Sequence, residues 1–167
     1  MISITDYTRL CKGNIVIITG PSDTVCPICG GDLSVRGTCI RKVWQTGCVQ
    51  EYRLRVMECR DCHKHHREIP DFIIPYKRIT LAGYCEIAEA GAEDYPCDTS
   101  TWQRIKLWLS WFFAFARSVE QSLVCSGLLA MTKETVSSMK EQTAYFVRLV
   151  VNSGFWIHNR SAMSVVS

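Results

Sequence analysis

Four of the chain's ten cysteines fall into two C-x-x-C pairs, Cys26-Pro27-Ile28-Cys29 and Cys59-Arg60-Asp61-Cys62, separated by residues 30–58. A C-x-x-C turn is tight enough to aim both sulfurs at one ion, and two such turns supply the tetrahedral thiolate set that holds zinc. With four sulfurs bound the ion keeps no position for water, so the implied chemistry is structural rather than hydrolytic. The sequence predicts one structural Zn2+ on Cys26, Cys29, Cys59 and Cys62. Gly30-Gly31 behind the first pair lets backbone amides approach the sulfurs. His63, His65 and His66 stand beside the second pair as alternative ligands or phosphate contacts, a partly exposed polar turn being the plainer explanation. Cys11, Cys39, Cys48, Cys85, Cys97 and Cys125 lack such spacing and are expected to be reduced thiols. Residues Met1 to Leu10 show no basic stretch followed by an apolar run, so a cytoplasmic protein is expected, nucleoid-associated if it binds DNA.

The elements that must position these ligands can be read from periodicity. Ile15 to Ile18 suits a strand ended by Gly20-Pro21, and no G-K-[ST] follows to make a phosphate loop. Leu33 to Trp44 and Cys48 to Glu58 read as strands around a turn at Gln45-Thr46-Gly47. In the second, Tyr52, Leu54 and Val56 alternate with Arg53, Arg55 and Met57, giving an apolar and a partly basic face. A hairpin tied at its base by metal is a zinc ribbon, here an extended one. Pro70 and Pro75 then mark an extended connector.

Thr80 caps a helix carrying Leu81, Tyr84, Cys85 and Ala88 and ending near Gly91. Asp98 or Ser100 caps a second, with Ile105, Trp108, Leu109, Phe112, Phe115 and Val119 on its buried side and Gly127 as an interruption. A third, capped near Thr132, carries Val136, Met139, Phe146 and Val150. The expected fold class is α+β: an N-terminal four-cysteine zinc-ribbon β-hairpin module followed by an all-helical, helix-turn-helix-like region. The expected division is 1–69, a connector at 70–79, and a Trp-rich helical domain at 80–167. The apolar stretch Leu107 to Ala116 is well short of the ~20 residues that cross a membrane.

Net charge is only +3, but it is unevenly placed. Basic residues outnumber acidic ones from Arg36 to Arg78 and again after Thr101, whereas Ile79 to Ser100 holds only acidic charge. That pattern suits contact with a polyanion, or simply a solvated face. The polar opening of the second helix, with Gln103, Arg104 and Lys106, is what a recognition helix needs: an amide suits adenine and an arginine suits guanine. Arg53, Arg55, Lys64, Arg67, Lys77 and Arg78 would supply backbone affinity.

The C-P-I-C-G-G and C-R-D-C segments, the run His65 to Arg78, and Ser100-Thr101-Trp102-Gln103-Arg104 before a Trp-rich helix together resemble a family of uncharacterised, transposon-associated bacterial proteins. Those proteins look like the zinc-ribbon and helix-turn-helix front end of transposases. The resemblance covers about Val25 to Phe113 and implies double-stranded DNA as partner, in a mobile-element setting, with a transposase or recombinase subunit as a further partner. The expected function is a non-catalytic, zinc-stabilised DNA-binding accessory or regulatory factor. The alternatives are a protein-interaction adaptor built on the ribbon and Trp-rich helix, and a transposase or nuclease. The last is disfavoured because Glu86, Glu89, Glu93, Asp94 and Asp98 cluster instead of standing apart on a sheet.

Overall fold

The computed structural model describes residues 1–45, 47–90, 97–130 and 138–156. Six strands come first: β1 (Ile2–Ile4), β2 (Thr8–Lys12), β3 (Ile15–Thr19), β4 (Leu33–Gln45), β5 (Cys48–Cys59) and β6 (His65–Pro70). Three helices follow: α1 (Leu81–Glu89), α2 (Thr99–Cys125) and α3 (Met139–Asn152).

The expected strand pair is present, but it is not a zinc ribbon. β4 and β5 pair antiparallel from Leu33↔Cys59 to Gln45↔Cys48, with a bulge between Val35 and Gly37. A strand has two hydrogen-bonding edges, and β4 takes one edge of β5. The other edge is divided end to end: β3 lies parallel to residues 51–53, and β6 lies antiparallel to residues 56–58. β1 adds in parallel to β6 and β2 antiparallel to β3, which completes a six-stranded sheet. The physical reason lies in β5 itself. Tyr52 and Leu54 are too apolar to remain uncovered in a two-stranded ribbon, and they are buried with Ile2, Ile4, Ile18, Val43, Ile69 and Ile73.

The helix-turn-helix is likewise corrected. α2 is 27 residues long and lays Ile105, Trp108, Leu109, Phe112, Ala116 and Val119 into a core shared with α1 and α3. Phe115, expected on that side, is only half-buried, stacked on Trp111. The polar opening of α2 is explained by capping. Asp98 accepts hydrogen bonds from the Thr101 amide and from the Ser100 and Thr101 hydroxyls, satisfying donors that every helix start leaves free. α1 is capped by Thr80, as its sequence predicts. Gly127, at φ +70°, follows the end of α2 instead of interrupting it. α3 is capped by Ser138; the expected cap at Thr132, with Val136 and the turn at Gly91, lies outside the described residues.

Helices and sheet meet through β1 and the connector. The Ser3 amide donates to Asn152 Oδ1 at 2.8 Å, and Asn152 Nδ2 donates back to the Ser3 carbonyl at 3.3 Å. Ile74 of the connector is fully buried in the helical core. None of the helices among the described residues is long and apolar enough to cross a membrane.

Candidate metal centre

The four knuckle cysteines converge, each offering a sulfur within 4.8 Å of all the others. Cys26 Sγ lies 3.7 Å from Cys62 Sγ, and Cys29 Sγ lies 3.4 Å from Cys59 Sγ. A tetrahedral ion with metal–sulfur bonds of ~2.3 Å has sulfur–sulfur edges of roughly 3.8 Å, so the set matches a single metal ion.

Each knuckle is built by the same backbone bonds. In the first, the Cys26 amide donates to the Gly31 carbonyl and the Gly30 amide to the Cys26 carbonyl. In the second, the Cys59 amide donates to the Lys64 carbonyl and the His63 amide to the Cys59 carbonyl. Gly30 and His63 therefore hold equivalent positions, at φ +74° and +54°. The first position uses glycine's freedom; the second places a histidine in the left-handed region, where non-glycine residues are uncommon. Gly31 is needed for space as well. A Cβ there would stand 1.9 Å from Asp61 Oδ2, so the knuckles abut in this arrangement without a side chain at Gly31, and adding one would displace Asp61.

The sulfurs are electrostatically coupled. The Gly31 amide pulls the Cys29 thiol down, but the neighbouring sulfurs, Cys59 first, push it up to about 12. Cys59 is drawn down to about 7, chiefly by the Cys62 amide. One thiolate is thus favoured at the expense of its neighbours, and a cation is what allows all four to ionise together.

The histidines beside the second knuckle separate into distinct places. His66 is buried at 3% exposure, with Nε2 3.3 Å from Cys26 Sγ, which suits an N–H···S bond that orients the ligand from behind. His65 is exposed, 3.6 Å from Glu58, and His63 shapes the turn.

The sequence-predicted DNA contacts do not form one group. Arg55 is committed to the interior: Nε and Nη2 each lie 2.7 Å from Glu68, and Nη2 also donates to the Pro21 carbonyl. Lys77 is half-buried with Nζ 4.4 Å from the Trp108 ring centroid, and burial lowers its pKa. Arg53 is half-buried beside Lys12, Ile15 and Ile17. Lys64 and Arg67 are exposed next to the second knuckle. Arg78 is exposed on the connector, its carbonyl accepting from the Trp44 amide. Gln103, Arg104 and Lys106 are exposed at the start of α2, where Arg104 curls back to the Ser100 carbonyl and Lys106 lies over Trp102. Sequence reasoning missed Arg41, whose Nη2 donates to the Lys77 carbonyl at 2.6 Å. Arg41 stands two residues from buried Val43 on β4 and so shares its face, which was the available signal.

Residues 26–105 match a domain family described as a domain of unknown function, DUF6431. The match begins on the first metal-ligand candidate and takes in both knuckles, β4 to β6, the connector, α1 and the opening of α2. Its description names no transposon, zinc ribbon or helix-turn-helix, so the finer family expected from sequence is not what the comparison shows. No curated protein and no solved structure matches the chain.

Proposed function

We propose that this chain is a non-catalytic protein that binds double-stranded DNA, with one structural zinc ion holding the two knuckles together. A donor set made only of thiolates suits zinc, and the ligands would be Cys26, Cys29, Cys59 and Cys62. The observation that carries the DNA part is the charge around the metal centre. Arg60, Lys64 and Arg67 are all exposed there, and none is ion-paired among the described residues. Zinc would fix the turn that carries Arg60 and Lys64 and the start of β6, which carries Arg67, so that these cations meet phosphates without first being ordered. Gln103, Arg104 and Lys106 at the α2 start would add groove contacts. The role as accessory or regulatory factor beside a transposase or recombinase belongs to the same proposal and rests on the sequence resemblance.

A second reading, an interaction adaptor, has its own observation. On the outer side of α2, Leu107 is 72% exposed, near the half-buried stacked pair Trp111 and Phe115. Fluorescence anisotropy of zinc-loaded protein with duplex DNA from its own flanking region and with random duplex, across a salt series, tests the two. Affinity that falls steeply with salt and favours the flanking DNA supports DNA binding. Absence of binding to both duplexes rejects it and favours the adaptor.

A further inference from the structure

Arg41 and Arg67 reach the same side of the sheet although they are on different strands. Arg41 lies opposite Tyr52 on β5, and Arg67 lies opposite Val56. Tyr52 and Val56 are an even number of residues apart on one strand, so all four side chains leave the same face. Arg78 is brought to the rim of this face by the connector. The Arg41 guanidinium donates to the Lys77 carbonyl, and the Trp44 amide to the Arg78 carbonyl, both at 2.6 Å. Burial, then the charges of Arg67 and Arg78, depress the Arg41 pKa, which is the electrostatic sign of like charges drawn together.

No carboxylate offsets this group among the described residues. The acidic side chains of β5 and β6 are already engaged: Glu51 with Lys42, Glu58 with Arg36, and Glu68 with Arg55. One guanidinium is thus half-buried and fixed by a carbonyl, two more are exposed beside it, and their counter-charge is missing. Tyr76, 53% exposed and at φ +63°, borders the same group. Guanidinium forks match phosphate oxygens bidentately, and a pinned arginine loses little freedom on binding one.

We propose that Arg41, Arg67 and Arg78 form a phosphate-binding site, centred on Arg41, that receives the phosphodiester backbone of duplex DNA. This rests on the DNA-binding reading and names where on the fold the backbone lies: at the rim of the β4–β6 face, where the connector crosses it.

The test is duplex DNA anisotropy over a salt series for the zinc-loaded wild-type protein and for Arg41→Gln, Arg67→Gln, Arg78→Gln and a control, Arg36→Gln. Arg67 and Arg78 are exposed, so their variants inform the test even if Arg41→Gln proves unstable by circular dichroism. The expected result is roughly a tenfold loss of affinity for each site variant and a salt slope shallower by about 0.9, with Arg36→Gln unchanged. Wild-type binding that all three site variants retain overturns the site while leaving DNA binding intact. If the wild type binds no DNA, titration with inorganic tripolyphosphate separates the two ideas. Binding lost in Arg78→Gln keeps a phosphate site and rejects DNA as its occupant; no binding rejects both.

Discussion

Replacing Glu68 by glutamine should be among the most destabilising polar substitutions in the sheet. Glu68 is 1% exposed, its two oxygens each 2.7 Å from the Arg55 guanidinium, whose side chain is 15% exposed. The pair sits where β3 gives way to β6 along the edge of β5. Gly20 leaves room for it: a Cβ there would stand 3.1 Å from Glu68 Oε1 and 3.2 Å from Arg55 Nη2. Removing one partner of a buried pair strands the other's charge and typically costs about 3–5 kcal/mol. For a chain of this size that is roughly 6–20 °C in melting temperature. The contrast is Arg36–Glu58, equally short at 2.8 Å but with the arginine side chain 55% exposed; Arg36→Gln should cost at most about 1 kcal/mol. Urea unfolding of the zinc-loaded protein would measure both, and the double variant Arg55→Met/Glu68→Leu should recover most of the loss because it strands no charge. A cost for Glu68→Gln below that of Arg36→Gln would refute the reasoning.

Gly31→Ala should weaken metal binding, since its Cβ would meet Asp61, and Asp61→Ala added to it should restore the binding; zinc content after dialysis reads both. Cys59→Ser, or chelation of the wild type, should remove the metal and loosen the base of the β4–β5 pair together, because binding free energy at such a site is folding free energy; hydrogen exchange that leaves Leu33 and Cys59 protected without metal would contradict this. The Ser100 and Thr101 hydroxyls hold the Asp98 carboxyl well below the usual carboxylate range. A depressed folded pKa contributes stability that is present above the unfolded value of about 3.9 and is lost as pH falls through the folded one. Acid unfolding below about pH 4 should therefore be steeper for the wild type than for Asp98→Asn, and parallel profiles would reject the cap's ionic part.

How much of this was legible in the sequence follows from how local each signal is. The convergence of the four knuckle cysteines was, because C-x-x-C spacing is a property of two short turns, and the helix caps Thr80 and Asp98 were for the same reason. β1 is three residues long and β2 exposes every residue, so neither carries a periodic pattern. β6 contains two histidines, Arg67 and Glu68, and ends at Pro70; its strand character comes from pairing with β5 and β1, not from its own composition. Arg55 looked like a surface cation because it alternates with Leu54, yet the partner that buries it lies on a strand the pattern does not reveal. The same gap made the β4–β5 pair look like a free ribbon.

β5 links these features. Its last residue is Cys59, Arg55 anchors Glu68 from its middle, and Tyr52 and Val56 set the registers that bring Arg41 and Arg67 to one face. Metal at one end of this strand and phosphate beside the connector would therefore act on the same element. Ordering the knuckles fixes where β6 leaves the second knuckle, because the Cys59 amide donates to the Lys64 carbonyl one residue before β6 begins. A shift of β6 by one residue would carry Arg67 to the opposite face and expose Glu68, which is the error in register that a buried ion pair penalises most. A metal held by the four cysteines would thus guard the same register as the Arg55–Glu68 pair, from the other direction, and the arginine cluster would depend on both.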